Sequence, residues 1–177
     1  TGPFDPPDTE GALSSATGWL PLDPMEIYQD VLDRLSDAAL YGDTRVLHDY
    51  IRLPFTFSTE MHTFTLTTEA ELDAYCLSFT ETLQAMGATD YIRIAREAHY
   101  VTRDRIEGFH YSHTIRNGHR LFAPFCSRHV VERGPERWQV TRAAVAIAND
   151  HWEIRMPATT PFSEYPPAFL EPQGLTQ

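Results

Sequence analysis

The segment EGFHYSH, residues 107 to 113, places a carboxylate, aromatic rings, a phenol and imidazoles within one short stretch. An imidazole can serve as a general base near neutral pH, a tyrosine can donate to a developing oxyanion, and an arginine can hold a carboxylate. His113 is accordingly the candidate base, with Tyr111 and Arg96 stabilising negative charge. Tyr28, Glu107, Arg128, Phe109 and Phe122 are the candidate ligand contacts. Such a set suits proton transfer beside a carbonyl, or elimination of water. Each member also has a plainer role. Glu107 and Arg128 read most simply as a cross-strand ion pair, Tyr111 as a packing ring with its hydroxyl tied off, and His113 as a core or rim histidine satisfied by one hydrogen bond.

Other suggestive residues weaken on inspection. His110 and His113 are three apart, and on a strand that spacing sends the two imidazoles to opposite faces, so no metal pair is expected. His48 and Asp49 diverge on a helix. No GxSxG, HExxH or phosphate-cradling glycine loop occurs. Cys76 and Cys126 form no CxxC pair, which gives no reason for a disulfide or zinc site and suits a reducing cytoplasm. No cofactor is expected.

The elements that must carry these groups fit one domain. The chain has 177 residues, 42% of them hydrophobic, enough to build a core without staples. Its formal charge of −11, with arginine as the sole strongly basic residue, argues against nucleic acid, because phosphate binding needs clustered positive charge. No apolar run of transmembrane length and no signal-peptide pattern is found, so neither membrane insertion nor export is expected. The chain opens at Thr1 rather than methionine, which is compatible with removal of a leader. Residues 1–22 read as an N-terminal arm, 23–156 as the domain, and 157–177 as a proline-rich tail whose aromatic residues pack on the parent domain or a twin subunit.

Asp23, Pro24 and Glu26 open a first helix whose Ile27, Val31, Leu35 and Ala38 form a stripe ending at Gly42. A short helix from Thr44 is expected to stop at Pro54. FTFSTEMHTFTLT then alternates as one or two strands, and Thr68 with Glu71 caps a third helix carrying Leu72, Tyr75, Cys76, Phe79, Leu83 and Met86 to Gly87. Residues 91 to 148 read as an antiparallel meander with turns at Arg103-Asp104, Asn117-Gly118 and Gly134-Pro135. These turns pair Tyr111 with Pro124, Phe109 with Cys126, Glu107 with Arg128 and Cys126 with Ala143. The result is an α+β domain, helices packed on a bent antiparallel sheet.

Alternation sorts the meander into two faces. One carries Ile92, Ile94, Arg96, Phe109, Tyr111 and His113. As the more apolar face, it is expected to lie under the helices. The other carries Arg93, His110, Ser112, Phe125, His129, Trp138 and Arg142. That mixture of small, polar and aromatic groups would strand polar atoms in a monomer core and suits a wet subunit interface, so a homodimer through Phe125, His129, Trp138 and Arg142 is expected.

A first helix ending in LYGD at Leu40 to Asp43, a short second helix, a strand, a third helix and a bent meander resembles the NTF2-like superfamily of cone-shaped α+β domains over about residues 24 to 148. That superfamily includes ketosteroid isomerases, SnoaL-type polyketide cyclases, scytalone dehydratase, limonene epoxide hydrolase and the small subunits of aromatic-ring dioxygenases. The resemblance implies a pocket between the helices and the concave sheet face, often in a homodimer joined through the opposite face. The isomerase tyrosine and carboxylate do not carry over, since their positions fall at Leu35 and about Thr59. Tyr28, Asp30 and His113 only loosely echo the dehydratase set. Two functions stay open. One is a cofactor-independent lyase, isomerase or cyclase acting on a small, mostly apolar molecule. The other is a non-catalytic ligand-binding or protein-association module.

Overall fold

The computed structural model describes residues 22–59 and 63–145. The arm, the tail and the end of the meander beyond residue 145 lie outside the described residues. Helix α1 spans Pro24–Tyr41. Asp23 caps it by accepting the Met25 N–H at 2.9 Å, and Gly42 ends it at φ 74°, a conformation that a side chain would strain. The stripe read from spacing is buried, and Tyr28, Leu32 and Ala39 widen it. Helix α2 covers Thr44–Tyr50, with Asp43 as its cap. Helix α3 covers Glu69–Ala85, and its Thr68 cap accepts the Glu71 N–H at 3.2 Å.

The strands are β1 (Ile51–Ser58), β2 (Thr63–Leu66), β3 (Asp90–Thr102), β4 (Arg105–Arg116), β5 (His119–Arg120), β6 (Phe125–Arg133) and β7 (Trp138–Val145). They form one sheet in the order β2-β1-β7-β6-β4-β3, with β5 pairing only β4. The β1–β7 pair is parallel and the rest are antiparallel, so the α+β class holds with a mixed sheet. Pro54 does not end α2. It lies inside β1, where pairing with β7 is interrupted between Ile51 and Thr56 and a missing N–H costs no ladder bond.

All three turns occur where the sequence puts them, but pairing beyond them slips. Asn117 and Gly118 have the positive φ values, 51° and 81°, of the expected hairpin turn, and Ile115 faces Arg120. Residues 121–124 then leave the ladder, and β6 rejoins two positions later: Tyr111 faces Cys126, Phe109 faces Arg128 and Glu107 faces Val130. The Gly134 loop runs from Arg133 to Trp138, and a shift between Val130 and Val131 brings His129, not Cys126, opposite Ala143. A bulge between Ala95 and Glu97 sets Tyr111 beside Ile94 and His113 beside Ile92.

Along β4 and the first half of β3, the helices cover the face opposite to the expected one. Ile106, Gly108, His110, Ser112 and Thr114 are buried, whereas Glu107, Phe109, Tyr111 and His113 between them are only partly covered. From α1, the Gln29 side-chain amide donates to the Arg93 carbonyl and accepts the Ala95 N–H, both at 2.8 Å, along the outer edge of β3. Apolar bulk misleads as a guide to facing because the helices supply it themselves. Tyr28 and Leu32 need small partners, and the sheet answers with Ala95, Ala98 and Gly108. Past the bulge the parity reverses, so Ala98 and Tyr100 do meet the helices as expected.

Candidate functional site

Gly108 is the keystone of the helix–sheet contact. A Cβ there would lie 2.6 Å from the Glu97 carbonyl oxygen and 2.8 Å from Tyr28 Cε2, so this strand position is open only to glycine while the Tyr28 ring rests on it. The ring is fully buried against two imidazoles, its centroid 5.8 Å from that of His110 and 6.3 Å from that of His129. The imidazoles meet edge to face at 4.6 Å.

The hydrogen bonds orient this trio. Tyr28 Oη accepts the His129 backbone N–H at 3.2 Å and lies 2.8 Å from His110 Nδ1. A phenol has one proton to give, and His110 Nδ1 is the acceptor beside it. The network therefore assigns His110 its proton on Nε2. Burial drives the Tyr28 hydroxyl pKa far above the ordinary phenol value, keeping it a neutral donor. Burial also holds His110 well below the ordinary imidazole range, helped by His129 and by the charge of Arg93. His129 is lowered in the same way, by burial first and Arg93 second. Both imidazoles are thus neutral at pH 7.

Arg93 shares this face. It sits on β3 opposite Ser112, with its guanidinium carbon 5.0 Å from the Tyr91 ring centroid and 5.9 Å from that of Phe79 on α3. Tyr75 stacks on Phe79 at 6.4 Å and meets Phe57 at 5.5 Å. Burial raises the Tyr75 hydroxyl pKa, and Arg93 partly offsets the rise. Five side-chain atoms on this one face are buried with no hydrogen-bond partner: Arg93 Nε, His110 Nε2, Ser112 Oγ, Thr114 Oγ1 and His129 Nδ1. Native interiors rarely leave such groups unpaired, since each costs about 1–3 kcal/mol. The arrangement offers one fixed cation, a directed imidazole N–H, hydroxyls and a second neutral imidazole beside an aromatic wall.

Of the residues the sequence singles out, Tyr28 alone belongs to this group. Arg96, Tyr111, His113, Glu107, Arg128 and Phe109 line the sheet face turned away from the helices, and this corrects the expected facing. There Arg96 lies over the Tyr111 ring at 5.6 Å and Arg128 over the Phe109 ring at 5.5 Å. Glu107 takes Arg105 at 2.7 Å, and its cross-strand neighbour is Val130 rather than Arg128. Phe122 stacks on Phe125 at 6.0 Å in a smaller core beside Ala39, Leu83 and Tyr91. The expected dimer face is partly covered in the same way: His129 is buried beside Tyr28, Phe125 and Trp138 are half-buried against the smaller and the main core, and Arg142 is exposed.

His110 and His113 do point to opposite faces, as their spacing requires. Among the described residues, no three His, Cys, Asp or Glu side chains gather as a metal set, and no helix is long and apolar enough to cross a membrane. Cys76 and Cys126 are free thiols. An open depression of about 320 Å³ lies elsewhere, lined by residues that include Ile27, Asp30, Tyr50 and Trp138. The sequence reading puts Arg93, His110, Ser112 and His129 at a subunit interface rather than in a site, and Thr114 is not singled out. The signal that finds them is Gly108: a glycine in mid-strand marks the face a bulky neighbour approaches, and parity then puts His110, Ser112 and Thr114 on that face.

No family model matches the chain, and neither does any curated protein. Solved structures do. An NTF2-like protein of unknown function from Shewanella oneidensis aligns with a TM-score of 0.56 at 11% identity, over 71% of this chain and 100% of that one. An NTF2-like protein with a cystatin-like fold from Novosphingobium aromaticivorans aligns at 0.54 with 18% identity, over 72% and 83%. A domain of unknown function from Nostoc punctiforme, also cystatin-like, aligns at 0.55 with 15% identity, over 70% and 76%. The chain has the NTF2-like fold.

Proposed function

We propose that this NTF2-like domain binds a small, mostly apolar molecule between its helices and the inner sheet face. The ligand's polar end would rest on Arg93, His110 and His129 and its body against Tyr75, Phe79 and Tyr91. The observation that carries this reading is the grouping of the five unpartnered polar atoms on one buried face, next to an aromatic wall. Small-molecule sites commonly set a few converging polar groups of this kind beside an apolar wall. A thermal-shift screen of aromatic and carbonyl compounds tests it, followed by imidazole NMR. A true ligand raises the melting temperature and moves the His110 and His129 resonances while leaving those of His99 and His119 in place. Ligands that stabilise the protein without touching either inner imidazole would overturn the reading.

Acid–base chemistry on that molecule is the second reading, and the edge-to-face histidine pair favours it. In this reading His110 Nε2–H would donate to a developing oxyanion, and His129 Nδ1, unpartnered in a ring whose centroid is 4.6 Å from that of His110, would accept the proton. A neutral imidazole of lowered basicity suits a substrate whose C–H is already acidified by a carbonyl. Exchange of such a proton for deuterium in D₂O, abolished in His129→Ala, is the expected result. Absence of exchange in any compound that binds leaves a non-catalytic binding module.

The homodimer is proposed through the other face. Ile92 and Ile94 are about half exposed beside His113 and Tyr111, and an uncovered apolar sheet face of this kind suits a partner copy.

A further inference from the structure

We propose that the molecule bound in this interior is a monocarboxylate and that Arg93 is its anchor, an inference that rests on the interior being a ligand site. The argument starts from charge. Arg93 is 8% exposed. None of the ion pairs among the described residues includes it, although Arg34, Arg52, Arg105, Arg133 and Arg137 all have carboxylates despite lying nearer to solvent. No hydrogen bond to its guanidinium is found among the described residues, and its buried Nε is without a partner. Its surroundings are rings, Tyr91 and Phe79, and neutral hydroxyls, Ser112 opposite and Thr114 opposite Tyr91. An arginine cannot shed its proton to escape burial, as a histidine or lysine can. A buried cation left without a counter-charge is costly. A ligand that brings the negative charge removes that cost.

The same inventory selects the anion. A single fixed cation matches a single charge, and the other donors, the His110 Nε2–H and the Ser112 and Thr114 hydroxyls, are neutral. A phosphate dianion would go half-compensated. A planar carboxylate matches the planar guanidinium fork. The flanking rings favour a compact apolar or aromatic body attached to it.

The experiment compares isosteric pairs on the unaltered protein at pH 7.5: benzoate against benzamide and 3-phenylpropanoate against 3-phenylpropanamide, with inorganic phosphate as a third arm, by calorimetry and thermal shift. The acids are expected to bind at least about tenfold more tightly than their amides, the scale of one charge-assisted hydrogen bond. That preference is expected to vanish in Arg93→Gln and to survive in Arg96→Gln on the outer face. Acids and amides binding alike would overturn the carboxylate assignment while leaving the binding site intact. Phosphate competing as well as the acids would also overturn it. Silence from acids and amides together would remove the site reading as well. Since the acid–amide comparison needs no variant, poor folding of Arg93→Gln does not blunt it.

Discussion

The Tyr28 hydroxyl lies 2.8 Å from His110 Nδ1, although the two residues are 82 positions apart in the chain. The contact ties the first helix to the middle of the sheet and fixes which imidazole nitrogen carries the proton. Tyr28→Phe keeps the ring on Gly108 but leaves His110 Nδ1 and the His129 N–H without their partner. The expected loss is about 1–3 kcal/mol in urea denaturation, with a change in the His110 tautomer by NMR. An unchanged tautomer would show that another group sets it.

Gly108→Ala tests the close approach. The added methyl meets backbone on one side and the Tyr28 ring on the other at under 3 Å, and overpacking of this kind costs about 1–3 kcal/mol. A double variant that also trims the ring, Tyr28→Ala with Gly108→Ala, is expected to lose less than the sum of the two single changes. Strict additivity would mean that the methyl and the ring do not compete.

Stability is expected to fall on acidification. The two inner imidazoles have folded-state pKa values well below their unfolded value near 6.5. Above about pH 6.5 both states leave them neutral, and their contribution does not vary. As pH drops below that value the unfolded chain takes up protons that the folded chain refuses, so each imidazole draws stability down by about 1.4 kcal/mol per pH unit until its folded pKa is reached. Urea midpoints between pH 5 and 8 should show this slope, and it should shrink in His110→Phe. A slope untouched by that change would remove His110 as a source and leave it to His129 and the carboxylates.

Exchanging groups on the outer face should be mild. His113→Ala and Tyr111→Ala sit outside the helix–sheet core and are expected to alter ligand binding little, whereas His110→Ala should weaken it. Equal effects from His113→Ala and His110→Ala would restore the facing first inferred from sequence.

Ile94→Asp puts a charge on the outward apolar face, beside Tyr111. If the proposed dimer forms through this face, light scattering should show it giving way to a monomer with the melting transition retained. A monomer already present in the unaltered protein would dismiss the dimer.

The helices were legible because their punctuation is local: Asp23, Gly42 and Thr68 act within one turn of the backbone they cap. The turns at Arg103-Asp104 and Asn117-Gly118 were legible for the same reason. What the sequence hid was long-range. Residues 121–124 leave no local mark of withdrawing from the ladder, and the bulges at Ala95 and Val130 flip or shift parity without a glycine or proline to announce them. The bulges carry side chains across the sheet in β3 and β6, whereas β4 keeps its alternation, and His110 and His113 exchanged their expected environments because the more apolar face of β4 is the one turned away from the helices. Tyr28 reaches the sheet from the first helix as expected, since its place beside the stripe of Ile27, Val31, Leu35 and Ala38 is set by local helix geometry.

Gln29 closes what would otherwise be an open flank. Strand β3 ends the sheet, and the amide of Gln29 satisfies the Arg93 carbonyl and the Ala95 N–H just as a further strand would. A chain approaching from that side finds those two groups already occupied, so growth of the sheet into a polymer is discouraged there. The same amide holds the backbone on both sides of Ile94 to α1, which makes the strand carrying Arg93 a braced beam rather than a fraying hem.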